Sequence, residues 1–108
     1  MSDIQMGIET GGVEAARAFQ LFQNAPNPFN PSTKIPFQLP AQNRVQISIF
    51  DVRGDKIRTL FEGMMPAGSH SIAWNGNDEN GLPAPSGIYI VTVKTNRIVR
   101  SIKMTLMR

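Results

Sequence analysis

From residue 33 onward, apolar and polar side chains alternate with a period of two, the pattern of strands that bury one face. Thr33, Ile35, Phe37 and Leu39 share one side of the first run, against Lys34, Pro36 and Gln38 on the other. Pro36 cannot donate to a ladder, which predicts an edge strand or a bulge there. Val45, Ile47 and Ile49 repeat the pattern against Gln46 and Ser48, and residues 51–55 predict a turn built on Gly54. A strand is expected over 56–61. After a turn at Pro66, Ala67 and Gly68, residues 68–75 put His70, Ile72 and Trp74 on one face and Ser69, Ser71 and Ala73 on the other. Residues 75–87, rich in Gly, Asn and Pro, predict a long loop. The nearly continuous apolar run over 88–95 is expected in the middle of a sheet, with Tyr89, Val91 and Val93 inward. A tight turn at Thr95 and Asn96 leads to a last strand, with Ile102, Met104 and Leu106 inward and Ser101, Lys103 and Thr105 outward.

Upstream, residues 19–23 read as one further short strand. Between it and Thr33 lies a stiff, extended corner in which Pro26, Pro28 and Pro31 fix φ and remove donors. Asn24, Asn27 and Asn30 are expected to close Asx-type turns within it. Residues 1–18 are Gly-bearing and weakly patterned; they read as a linker, with a short helical turn at 13–19, and the domain proper as 19–108. About seven strands with turn signals at short, regular spacing indicate an all-β fold, an antiparallel β-sandwich of immunoglobulin-like type.

Composition narrows the chemistry. With 108 residues the chain is one domain's worth, and its 0 cysteines exclude zinc ribbons, thiol catalysis, iron–sulfur clusters and disulfide scaffolds. No apolar run approaches the ~18 residues of a membrane-spanning helix, so no direct membrane insertion is expected. The net charge of +3 is unevenly spread: residues 1–33 sum to −2 and residues 34–108 to +5. The last fifteen residues carry Lys94, Arg97, Arg100, Lys103 and Arg108 with no acid among them. Two readings of that positive end stand: an edge strand protected by cations, or a binding strand for an acidic partner. Nucleic acid is not an expected partner, because the cations are not interleaved with aromatics. The first residues have neither the basic start nor the apolar stretch of a signal peptide. If the parent protein is exported, the chain reads as an excised piece of it.

Converging polar groups for catalysis are not in evidence, and no enzyme is expected. His70 is the one histidine and reads as a strand-boundary residue packed on the sheet; the aspartates fall in turns. In the 75–87 loop, Asn75, Asn77 and Glu79 are a weak calcium candidate, since such oxygens suit that ion. The glycine falls one place late for an EF-hand, and a plain loop is the simpler reading. No cofactor is expected. Arg53-Gly54-Asp55 spells the adhesion tripeptide, but a Gly-Asp turn alone explains it. Trp74, the sole tryptophan, alternates with Ile72 and is assigned to the core rather than to a sugar-binding platform. Met64 and Met65 either cap an open end of the sandwich or fill a gap.

The segments LFQNAPNPFNPSTKIPFQLP, VQISIFDVRGDKIRTL, AGSHSIAWNGNDENGLPAPSGIYIVTVKT and IKMTLMR together resemble the type A C-terminal sorting domain of the type IX secretion system. The resemblance spans residues 21–108, and its middle section is shared with the immunoglobulin-like domain of flagellar hook-capping proteins. The NAPNPFN corner and the basic end distinguish the sorting family. The resemblance implies a domain without catalysis that closes a secreted cargo protein. Its implied partners are an outer-membrane translocon, a shuttle protein and a sortase, besides the upstream cargo domain. The implied location is secreted or at the cell surface. Carried over by position, Pro26, Asn27, Pro28 and Phe29 form the signature corner, Gly54 and Gly87 are turn and strand-opening glycines, and residues 103–108 are the terminal signal. Lys103, Met104, Leu106 and Arg108 are its recognition candidates. At Ala25 the chain departs from the family, which often has an aromatic there. The alternatives are a structural assembly module of hook-capping type and a carbohydrate-binding accessory module.

Overall fold

The computed structural model describes residues 19–108. The linker and helical turn expected upstream fall outside the described residues, apart from Phe19, which is buried. The strands run β1 (Gln20–Leu21), β2 (Thr33–Leu39), β3 (Asn43–Asp51), β4 (Lys56–Met65), β5 (Gly68–Trp74), β6 (Gly87–Lys94) and β7 (Val99–Leu106). They form two sheets, a three-stranded one ordered β1-β2-β5 and a four-stranded one ordered β4-β3-β6-β7. Every strand pairing is antiparallel. The fold is an all-β, immunoglobulin-like sandwich of seven strands.

The period-two pattern explains the layers. Ile35, Phe37 and Leu39 of β2 face Val45, Ile47 and Ile49 of β3 and Tyr89, Val91 and Val93 of β6 across one buried interior. Trp74 is 1% exposed at the end of β5, its ring centroid 5.6 Å from Phe29 and 5.2 Å from Tyr89. Its indole N–H donates to the Asn77 carbonyl at 2.9 Å, so the polar handle is satisfied where the loop begins. His70 lies where the sequence puts it, stacked on Phe37 and in hydrogen-bond contact with the Pro66 carbonyl.

Three features differ from the sequence pattern. β4 continues to Met65 instead of ending at Phe61. Register shifts between Ile47 and Ser48 and between Ile49 and Phe50 mark bulges against β4, which let consecutive Leu60 and Phe61 both pack on the core. Met65 also lies against the core, while Met64 is exposed. Pro36 sits in the middle strand of its sheet, not at an edge. Its carbonyl accepts from the Phe22 N–H, so its missing donor points to the side where the two-residue β1 has ended. The ladder to β5 thus loses nothing. Asn24 and Asn27 of the corner, finally, bond further along the chain than a local turn.

Candidate functional site

The proline corner and the closing strand meet. Proline leaves residues 26, 28 and 31 without N–H groups, so this segment cannot run a ladder and uses side chains instead. Buried Asn24 donates through Nδ2 to Thr33 Oγ1 at 3.0 Å and to the Pro26 carbonyl at 3.1 Å. Thr33 Oγ1 donates to the same carbonyl. Ala25 and Lys34 exchange backbone bonds at 3.0 Å, which closes the base of the corner.

The tip of the corner lies along the outer edge of β7. Asn27 Oδ1 accepts from the Thr105 N–H at 3.0 Å, a contact between residues 78 apart in sequence. Phe29 donates its N–H to the Thr105 carbonyl and accepts from the Met107 N–H, both at 2.9 Å, in a parallel bridge to Leu106. Gln23 Nε2 donates to the Lys103 carbonyl at 2.8 Å. The outward groups of β7 from Lys103 to Met107 are therefore largely engaged within the chain. From Val99 to Ser101 the same strand pairs only with β6 among the described residues, and its other edge is open.

The recognition candidates divide accordingly. Pro26, Asn27, Pro28 and Lys103 are exposed, whereas Phe29, Met104 and Leu106 are core residues at 0–1% exposure. In the folded domain the latter three offer no surface. Arg108 is exposed but tethered. Its Nε donates to the Ala84 carbonyl and its Nη2 to the Gly76 carbonyl, each at 2.6 Å, and its backbone N–H donates to Ser86 Oγ. The last residue thus ties the 75–87 loop to the end of β7. Gly76, at φ 79°, is required there: a Cβ would come within 2.9 Å of both the Pro31 carbonyl oxygen and the Arg108 guanidinium.

Asn75, Asn77 and Glu79 each hold a bond within the loop or to a neighbouring strand. Asn75 Oδ1 accepts from the Asn77 N–H, the Asn77 carbonyl takes the Trp74 indole, and Glu79 Oε1 accepts from the Thr59 N–H of β4. Glu79 also donates its N–H to the Ile57 carbonyl, so these residues brace the loop against β4. Among the described residues no cluster of three or more His, Asp or Glu side chains is placed to hold a metal.

At the 51–55 turn, Asp51 Oδ1 accepts from the Arg53 and Asp55 N–H groups at 2.9 and 3.0 Å. Desolvation pulls its carboxyl upward, but those two bonds and the Arg53 guanidinium outweigh it and hold the group below its ordinary 3.8. Tyr89 donates to the Pro85 carbonyl at 2.6 Å, and burial, with the Asp51 charge, raises its phenol above the usual 10.0.

Sequence reasoning missed Gln23, Gly76 and Ser86, and placed Asn24 only in a local turn. The density of Asn between prolines was a signal for side-chain capping, but nothing local pointed to strand β7 as the partner.

Residues 24–98 match the FlgD Ig-like domain. The chain belongs to this family. It is 34% identical over 68 residues to the basal-body rod modification protein FlgD of Escherichia coli K12, covering 60% of this chain and 29% of that protein. The chain thus spans less than a third of that relative. Among solved structures, FlgD of P. aeruginosa superposes with a TM-score of 0.55 at 25% identity, over 68% of this chain and 57% of that one. PorZ of Porphyromonas gingivalis, an essential surface component of the type-IX secretion system, superposes with a TM-score of 0.54 at 24% identity, over 80% of this chain and 11% of that one. Dimeric latent PorU from the same organism gives 0.63 at 16% identity, over 82% and 9%. These last two likenesses concern the fold.

Proposed function

We propose that this FlgD-type Ig-like domain is a non-catalytic C-terminal sorting domain. It directs export of a cargo protein through the type IX secretion system and its attachment at the cell surface. The observation that carries this reading is the junction of the NAPNPFN corner with the closing strand, which leaves one open, cation-flanked stretch of edge at Val99–Ser101. Arg97 and Lys103 border that stretch, Arg100 lies within it, and all three are exposed. An edge of this kind suits strand addition by a receptor, with charge selecting an acidic one. The translocon, the shuttle protein and the sortase are the partners this reading requires, and the likeness in fold to PorZ is in keeping with it.

The test is export of a reporter carrying the whole chain at its C-terminus in a bacterium with a type IX system. Deleting residues 101–108 is a poor probe, because it strips Met104 and Leu106 from the core. Charge reversal at exposed positions (Arg97→Glu, Arg100→Glu, Lys103→Glu) leaves the core alone. The parent fusion should reach the surface and the triple variant should accumulate inside; a parent fusion that is not exported overturns the reading.

The family itself favours a second reading, a structural assembly module of flagellar hook-capping type. It predicts that this domain, exchanged for the corresponding part of the E. coli relative, restores motility. A carbohydrate-binding role has no such support, since Trp74 is buried.

A further inference from the structure

The outward face of the four-stranded sheet has a pattern distinct from the β7 edge. Strand pairing aligns Lys56, Phe50, Ile90 and Lys103 in one row running from β4 to β7. The next row is made of hydroxyls, with Thr59, Ser48, Thr92 and Ser101 side by side. In the third, Gln46 and Lys94 lie between Glu62 and Val99. Between the rows runs a trough of about 290 Å³, with Lys56 and Lys94 in its walls and Ser48, Phe50 and Thr92 among its lining.

Two observations say what this trough accepts. The first is charge. Lys56, Lys94 and Lys103 are exposed and make no ion pair among the described residues, while the one acid on the face, Glu62, lies 3.8 Å from Arg44. The second is an unused donor. Ser48 is 5% exposed and lines the trough, yet its hydroxyl has no hydrogen-bond partner among the described residues. Thr92 and Ser101 are bonded to one another at 2.9 Å and neither is bonded to Ser48. A buried hydroxyl without a partner is costly to keep, and one aimed into an open trough is a site for an acceptor.

We propose that this trough is a docking site for an acidic segment of a protein partner, one of whose carboxylates enters it. A carboxylate has two acceptor oxygens and no donor, so one oxygen can take the Ser48 O–H while the charge lies between Lys56 and Lys94. Phe50 and Val99 provide apolar wall for the methylenes behind the carboxylate and for an adjacent apolar side chain. An acidic sugar is the poorer match. Saccharides favour an exposed aromatic plane, whereas Trp74 and Tyr89 are buried and Phe50, the one ring in the trough, is half-buried.

The test uses the purified 108-residue chain, labelled with nitrogen-15 and titrated with a blocked hexapeptide of alternating glutamate and valine. Amide shifts should centre on Ser48, Phe50, Thr92 and Lys94, and affinity should fall as salt rises. Lys56→Met with Lys94→Met should weaken binding about tenfold and Ser48→Ala about threefold, with peak dispersion showing that each variant is folded. The proposal is overturned if the shifts map elsewhere, if a glutamine–valine peptide binds equally well, or if the lysine variant binds unchanged. It is also overturned if oligogalacturonate moves these amides and the peptide does not. Binding is read on the isolated chain, so its outcome is separate from that of the export assay.

Discussion

The two halves of β7 are treated oppositely by the rest of the chain. Toward its end, Met104 and Leu106 fill the interior, the backbone is bonded on one side to β6 and on the other to residues 23–29, and Arg108 clamps a loop. Toward its start, Val99 is 54% exposed, and the outer edge from there to Ser101 has no pairing strand among the described residues. The most characteristic residues of the terminal segment are thus employed in holding the domain together. The exposed surface there is formed instead by the proline tips, the open edge and the cations. An unpaired edge usually invites aggregation, and Lys and Arg on an edge disfavour stacking of identical chains.

Three measurements sharpen that contrast. Phe29→Ala removes a ring packed on Trp74 beneath the corner and should lower stability by about 3–5 kcal/mol, with Leu106→Ala close behind; Val99→Ala should change it by less than ~0.5 kcal/mol. Equal losses at Leu106 and Val99 in urea denaturation would erase the distinction. The clasp comes next. Arg108→Met and Asn27→Ala each remove bonds that bridge distant parts of the chain and should cost about 1–2 kcal/mol, with faster amide exchange at Ala84 and Thr105 respectively. The smallest effect belongs to the 51–55 turn. The Asp51 carboxyl is depressed in the folded state, so its contribution is present above its unfolded pKa and is lost as pH falls through the folded one. Melting temperature should therefore drop as pH falls below about 4, and Asp51→Asn should flatten part of that drop. An unaltered acid profile in the variant would show the turn to be energetically silent.

Much of the sandwich could be read in advance because alternation is local. Thr33 to Leu39, Val45 to Ile49 and Tyr89 to Val93 announce which face is buried before any partner strand is known. β4 resisted for a physical reason. Its bulges put Leu60 and Phe61 on the same side, so the period-two signal fails where the strand continues, and Gly63 interrupts the rest. Pro36 misled in another way: whether a missing donor harms a strand depends on which neighbour it faces, and only the pairing shows that. Of the candidate site, the cations and the corner were visible in the residues. The inward placing of Met104 and Leu106 was visible too; that the corner grips β7, and that Phe29 is interior, was not.

Apart from β4, the amino-acid order by itself determined the main strands, their inward faces and the positive closing segment, since each of these depends on neighbours two or three positions away. Tertiary structure decided the rest. Asn27 meets Thr105 across 78 residues, Arg108 reaches Gly76 across 32, and Ser48 is left with an unspent donor above a lysine-walled trough. Such meetings arise when two sheets close on one core, and no local pattern encodes the distance they must span.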